Sequence, residues 1–147
     1  MKKLTLISIL FIALYFANTA MAKQISVIVN ANNATNTLTK KQLIDLYMGR
    51  YVAFPNNQSA QPLDTLATNE LKSIFYKRLV NMPLSRVNAY WSRVRFTGRA
   101  KPPLELRDQQ VIIDFVENNP NAIGYVYSDA LTKPIAQKVK VVMELYE

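Results

Sequence analysis

Asn119-Pro120-Asn121-Ala122-Ile123-Gly124-Tyr125-Val126-Tyr127 compresses a helix end, a turn and a buried strand into one short stretch. Pro120 lacks an N–H and pushes Asn119 away from helical backbone angles, so a preceding helix stops there. Asn121 suits the turn. Ile123, Tyr125 and Tyr127 alternate with Gly124 and Val126, the period of a strand. Gly124 is one of three glycines in the chain. Inside a strand such a residue marks a close approach, made either by a ligand or by a helix packed on the sheet. Both readings stand at this point.

Working upstream, Val111, Ile112, Phe115 and Val116 form a helical stripe with Asp108 as its N-cap, and Asp114 and Glu117 fall on its exposed side. Phe96-Thr97-Gly98-Arg99 leaves an earlier helix, and Pro102-Pro103 forbids an immediate new one. That earlier helix is expected to start at Ser85 and to turn Val87, Trp91 and Val94 inward. Leu71, Ile74, Phe75, Arg78 and Leu79 recur at spacings of three and four, a helix capped by Thr68 or Asn69 and ending near Asn81, before Pro83. Thr39 and Gln42 have the form of a capping box, Leu43, Leu46 and Tyr47 mark one face, and Gly49 closes the helix.

The remaining segments read as strands and connectors. Gln24 to Asn30 is nearly apolar on both faces, which suits a central strand covered on each side. Asn30 to Asn36 is a polar loop expected on the surface. Arg50 to Phe54 reads as a brief extended piece, and Pro62-Leu63-Asp64-Thr65 as a short edge strand or a connector. Ala130 to Gln137 is a connector around Pro134. Lys138 to Leu145 is a strand with Val139, Val141 and Met143 on one side and Val142 and Leu145 on the other. Strands near both ends and at 123–127, with four helices between, imply an α/β domain of three layers.

The N-terminus has its own pattern. Lys2 and Lys3 precede an apolar run from Leu4 to Phe16, and Ala20-Met21-Ala22 presents small residues at a cleavage site. This is the form of a secretory signal peptide. The run is short for a membrane span. Residues 1–22 are therefore expected to be a signal peptide and 23–147 one exported, periplasmic domain with no stable membrane span after cleavage. Setting aside Lys2 and Lys3 lowers the formal net charge from +8 to +6. A basic exported domain meets anionic ligands, anionic lipid, cell-wall polymers or an acidic partner. Its basic residues are scattered, so nucleic acid is not expected.

With no Cys and no His, zinc and copper sites lose their usual ligands. Cys–His and Ser–His–Asp machinery is excluded. No metal and no cofactor is implied. The ten acidic residues show no committing pair. Glu105 and Asp108 are close in sequence, but Asp108 is spent on a cap. No phosphate-cradling glycine loop or nucleophile elbow occurs, so the chain reads as a non-enzyme. Two places suit an anion. One is Arg93, Arg95 and Arg99 around the Thr97-Gly98 turn, because guanidinium groups bind oxyanions in a bidentate way. The other is the helix start at Thr68-Asn69. The ligand-binding candidates are Thr68, Asn69, Arg95 and Thr97.

Leu38-Thr39-Lys40-Lys41-Gln42-Leu43 with Leu46-Tyr47-Met48-Gly49-Arg50 resembles a segment of the periplasmic phosphate-binding proteins of ABC transporters. So do Tyr90-Trp91, Phe96-Thr97-Gly98, Pro102-Pro103 and Asn119 to Val126, above all in short single-domain relatives. The resemblance implies one lobe of a type 2 periplasmic-binding-protein fold, with a mixed sheet flanked by helices. It implies a solute-binding or uptake-accessory role. Full-length members close two lobes over phosphate, and this length suits about one lobe. The family's phosphate loop carries an arginine and a Ser-Gly-Thr turn. Here Asp64 to Leu71 has neither, and Glu70 would repel phosphate at a helix start. That departure supports the rival expectation of an envelope interaction module with a protein partner, or of a homodimer that rebuilds the cleft.

Overall fold

In the computed structural model, which describes residues 23–146, the sheet is built around β1 (Ile25–Asn30), buried along its whole length. The expected signal peptide lies outside the described residues. The order of elements is β1, α1 (Lys40–Tyr47), β2 (Gln61–Thr65), α2 (Glu70–Val80), α3 (Leu84–Phe96), β3 (Leu104–Leu106), α4 (Gln109–Asn118), β4 (Ala122–Tyr127), a short 3-10 turn (Ser128–Ala130), α5 (Lys133–Ala136) and β5 (Val139–Leu145). The strands lie in the order β3-β2-β4-β1-β5. β1 runs antiparallel to β4 and β5, whereas β2 runs parallel to β3 and β4. The sheet is therefore mixed, with helices on both faces.

The two faces have separate cores. Ile25, Val27, Val29, Ile123 and Tyr125 pack against Leu43, Leu46 and Tyr47 of α1, Leu71, Phe75 and Leu79 of α2, and Val87, Trp91 and Val94 of α3. Ile28, Leu63, Ala122 and Val126 face Ile112, Ile113 and Val116 of α4. The alternation of Ile123 and Tyr125 with Gly124 and Val126 sends each set to its own layer. Gly124 is the place where α4 comes closest. A Cβ built there would lie 2.4 Å from Cγ2 of Ile112, so the close approach is made by the helix and not by a ligand.

Local chemistry explains most boundaries. Thr39 and Gln42 form the reciprocal capping box on α1, and Gly49 follows in the left-handed region at φ 66°. Asn69 and Asp108 cap α2 and α4 through their side chains. α3 departs from expectation. Its N-cap is Pro83, whose ring presets φ near −70° and which makes no side-chain cap, and Ser85 already lies within the first turn.

Four further expectations change. Pro62 to Thr65 belongs to an interior strand, β2, flanked by β3 and β4, because the short β3 follows Pro102-Pro103 and takes the edge. The loop after β1 is partly interior. Asn30 donates from Nδ2 to the carbonyls of Val116 (2.9 Å) and Glu117 (2.8 Å), and Asn33 donates to that of Pro120 (2.8 Å), so together they satisfy the end of α4. Glu117 is largely covered, its side chain 16% exposed and 3.2 Å from Nζ of Lys138. In β5 the simple alternation breaks, because the register against β1 shifts between Val27 and Ile28. Val142 becomes the extra residue, Val142 and Leu145 face the larger core, and Val141 is exposed.

Candidate functional site

The α1–α3 face does not seal completely. A cleft of about 1070 Å³ opens beside the edge strand β3. Leu46, Gly49, Tyr51 and Val52 form one wall, and Val87, Asn88, Trp91, Ser92 and Arg95 of α3 form another. Lys101 to Leu104 close the rim, and Asp64, Lys72, Tyr76 and Glu105 lie at its polar base. Gly49 serves this geometry twice, by its positive φ and by space. A Cβ there would meet Cη2 of Trp91 at 2.6 Å.

The polar base is a charged network beneath an aromatic cluster. Asp64 sits in β2 with 2% of its surface exposed, and Lys72 in the first turns of α2 with 4%. Each oxygen of Asp64 has two polar partners. Oδ1 accepts from Tyr125 and from the Thr65 N–H (2.9 Å), while Oδ2 accepts from Tyr76 (2.8 Å) and lies 3.2 Å from Nζ of Lys72. Lys72 also donates to Oε1 of Glu105 at 2.6 Å, and Glu105 is half exposed on β3. Above this, Phe75 and Tyr125 stack at 3.6 Å between ring centroids, with Tyr47 edge-on to both. Tyr47 donates its hydroxyl to the carbonyls of Leu63 and Ile123, tying α1 to neighbouring strands.

Burial pushes the Asp64 carboxyl above the usual carboxylate range, and the Lys72 charge and the hydroxyls of Tyr125 and Tyr76 oppose that rise. The same burial, with the Asp64 charge beside them, raises the hydroxyls of Tyr76 and Tyr125 well above the ordinary tyrosine value. These tyrosines therefore remain protonated donors, which is the state that suits an ionised Asp64. Asp64 is engaged on both oxygens, whereas Glu105 is bonded to Lys72 through one oxygen and is half exposed. Among the described residues no group of His, Cys, Asp or Glu could hold a metal ion.

The four candidate residues read from sequence occupy three locations. Arg95 lines the cleft and is exposed, and its guanidinium has no hydrogen bond or ion pair among the described residues. Thr97 is the C-cap of α3 and donates its hydroxyl to the Val94 carbonyl at 2.7 Å. Asn69 accepts the Leu71 N–H at 3.0 Å, and Thr68 is exposed in the turn before it. Thr68, Asn69 and Thr97 are not among the residues lining the cleft. Glu70 stands in the first turn of α2, an unfavourable place for an acid if phosphate is to bind there.

Sequence reasoning missed Asp64, Lys72, Tyr76 and Tyr125 as one site. A signal existed. Lys72, Tyr76 and Leu79 fall at i, i+4 and i+7 beside the apolar stripe, which puts a lysine on a buried helical edge. Asp64 lies in a strand just after Leu63, and an acid in that position needs a buried partner.

Known proteins give the fold a context. The sequence matches no family model and no curated protein. Solved structures do match. An ABC-type phosphate transport receptor from Vibrio cholerae superposes with a TM-score of 0.63 at 16% identity, over 82% of this chain and 46% of that one. A putative phosphate ABC transporter substrate-binding protein from Clostridium perfringens, solved with bound phosphate, gives 0.63 at 17% identity over 82% and 44%. PstS from Borrelia burgdorferi gives 0.63 at 11% identity over 82% and 46%. The chain thus has the fold of a periplasmic-binding-protein lobe and spans less than half the length of these proteins. These neighbours are described as a phosphate transport receptor and a substrate-binding protein. Among the described residues no helix is long and apolar enough to cross a membrane.

Proposed function

We propose that this chain is an exported, periplasmic, non-enzymatic solute-binding domain that takes a small anion weakly in its cleft, phosphate among the candidates, or assists uptake of one. The observation that carries the reading is the cleft of about 1070 Å³ lined by Arg95 and Lys101, whose side chains have no hydrogen bond or ion pair among the described residues. A guanidinium and an ammonium that line one cleft are natural contacts for an oxyanion. The fold supports the reading, as does its likeness to a phosphate transport receptor and a phosphate transporter substrate-binding protein. Weak binding is expected of the described residues taken alone, because they match less than half of the binding proteins they resemble. The test is isothermal titration of the folded full chain with phosphate, sulfate and carboxylates, repeated with Arg95→Ala. Saturable heat in the millimolar range that Arg95→Ala weakens supports the reading. No heat from a folded sample overturns it.

A second reading has its own observation. Tyr51, Val52 and Leu104, respectively 53%, 68% and 42% exposed, lie around the cleft. Exposed apolar residues grouped at a concave surface suit a periplasmic protein partner or a second copy of the chain. Sedimentation at increasing concentration and affinity capture from periplasm discriminate. A stable dimer or one reproducible partner supports this reading, and a monomer that retains nothing counts against it.

A further inference from the structure

We propose that Lys72 is the ligand's charge receptor, that Glu105 holds the ligand's place on it, and that the ligand is a monocarboxylate with an apolar body. This rests on the reading of the cleft as a solute site and names its chemistry. Lys72 holds two carboxylates that differ in kind. Asp64 is 2% exposed and has two polar partners on each oxygen, so it is a fixed part of the structure. Glu105 is bonded to Lys72 through one oxygen at 2.6 Å, its side chain is 49% exposed, and it sits on the edge strand of the sheet. Glu105 can therefore swing into water at small cost, whereas Asp64 cannot.

Once Glu105 leaves, the Lys72 ammonium faces the cleft with an unfilled coordination site. A carboxylate is the group that fits, because it repeats the contact the protein already makes. Charge sharpens the choice. Exchanging Glu105 for a monoanion keeps the same charge beside Asp64. A dianion adds a second negative charge next to a buried carboxylate, where Coulomb repulsion is screened least. The rest of the lining sets polar side chains, among them Asn88, Ser92 and Arg95, beside an apolar wall. Leu46, Val87 and Trp91 belong to that wall, so the ligand's body gains by being aromatic or aliphatic. Arg95 at the rim attracts the anion on its way in.

Trp91 is the only tryptophan in the chain, so its emission reports occupancy of the cleft. The experiment titrates the full chain with benzoate, acetate and phosphate, following Trp91 fluorescence and heat, in the native sequence and in Glu105→Gln. Glu105→Gln keeps the shape of the side chain and removes the competing charge, and circular dichroism verifies its fold. The expected result is weak benzoate binding to the native chain, weaker acetate binding, and about tenfold tighter benzoate binding in Glu105→Gln, the factor carried by one charge-assisted hydrogen bond. Unchanged or weaker benzoate affinity in Glu105→Gln overturns the proposal, as does heat without any change in Trp91 emission. If phosphate binds, Arg95→Ala weakens it and Glu105→Gln changes nothing, this proposal fails and the solute-binding reading stands. If no anion binds either folded protein, both fail.

Discussion

The two faces of the one sheet solve the burial problem differently. On the α4 face, Ile28, Leu63, Ala122 and Val126 meet Ile112, Ile113 and Val116 with no charge between them, and Gly124 lets the helix settle close. On the α1–α3 face, three helices cover the sheet, yet Asp64 and Lys72 are buried there and a cleft remains open beside them. Apolar packing needs only volume and shape. A buried ion pair needs every partner in place, and replacing it with apolar groups is often neutral or stabilising. The stability of the domain does not require the charged network on one face only. Its position at the cleft is what connects it to the proposed binding.

The largest expected effect comes from breaking that network. Lys72→Met leaves Asp64 buried without its counter-charge and should cost about 3–5 kcal/mol at neutral pH, measured by urea unfolding. The pH dependence has a definite sign. Burial already raises the Asp64 carboxyl above its ordinary value of 3.8, and removing Lys72 takes away an interaction that lowers it. The native state then holds the proton more tightly than the unfolded chain. The contribution of Asp64 to stability is most favourable below the unfolded value and is lost as pH rises through the raised folded one. The deficit of Lys72→Met should therefore shrink as the pH falls toward the ordinary carboxylate range. Asp64→Asn combined with Lys72→Met removes both charges and should recover much of the loss. A deficit that is independent of pH would mean that Lys72 acts by packing alone.

The opposite face predicts a steric effect without pH dependence. Gly124→Ala forces a methyl to within 2.4 Å of Cγ2 of Ile112 and should destabilise by about 1–3 kcal/mol. Ile112→Ala in the same chain removes that Cγ2 methyl and gives room back, so the double variant should be more stable than the sum of the two separate losses predicts. Loss that varies with pH here would erase the difference between the faces.

What the sequence made legible follows the same division. Helices α1, α2 and α4 could be read from caps and spacing because Thr39 with Gln42, Asn69 and Asp108 act through neighbours two or three residues away. The turn at Pro120 and the strand after it were legible for the same reason, as was the three-layer class. β2 was not, since its interior place depends on β3, whose pairing of Leu63 with Leu104 spans a long stretch of chain. The site was less legible still. Arg95 could be picked out as an exposed guanidinium. The meeting of Asp64, Lys72, Tyr125 and Glu105 depends on four elements packed together, and no local pattern encodes it.

Caps supply the smallest effect and a control common to both faces. Asn69 at the start of α2 and Asp108 at the start of α4 make the same kind of bond, accepting a first-turn N–H. Asn69→Ala should cost about 1 kcal/mol and Asn69→Gly only a few tenths, because glycine keeps the extended backbone without strain and leaves the N–H open to water. Asn69 also decides a question about function. It was a candidate anion contact, and its side-chain oxygen is an acceptor turned to Leu71, so within that side chain only the amide Nδ2 is left to meet an anion. If the cleft is the binding site, Asn69→Ala lowers the unfolding free energy and leaves anion affinity unchanged. If affinity falls while stability holds, binding moves to the start of α2, and the contrast between a sealed face and a working one no longer locates the ligand.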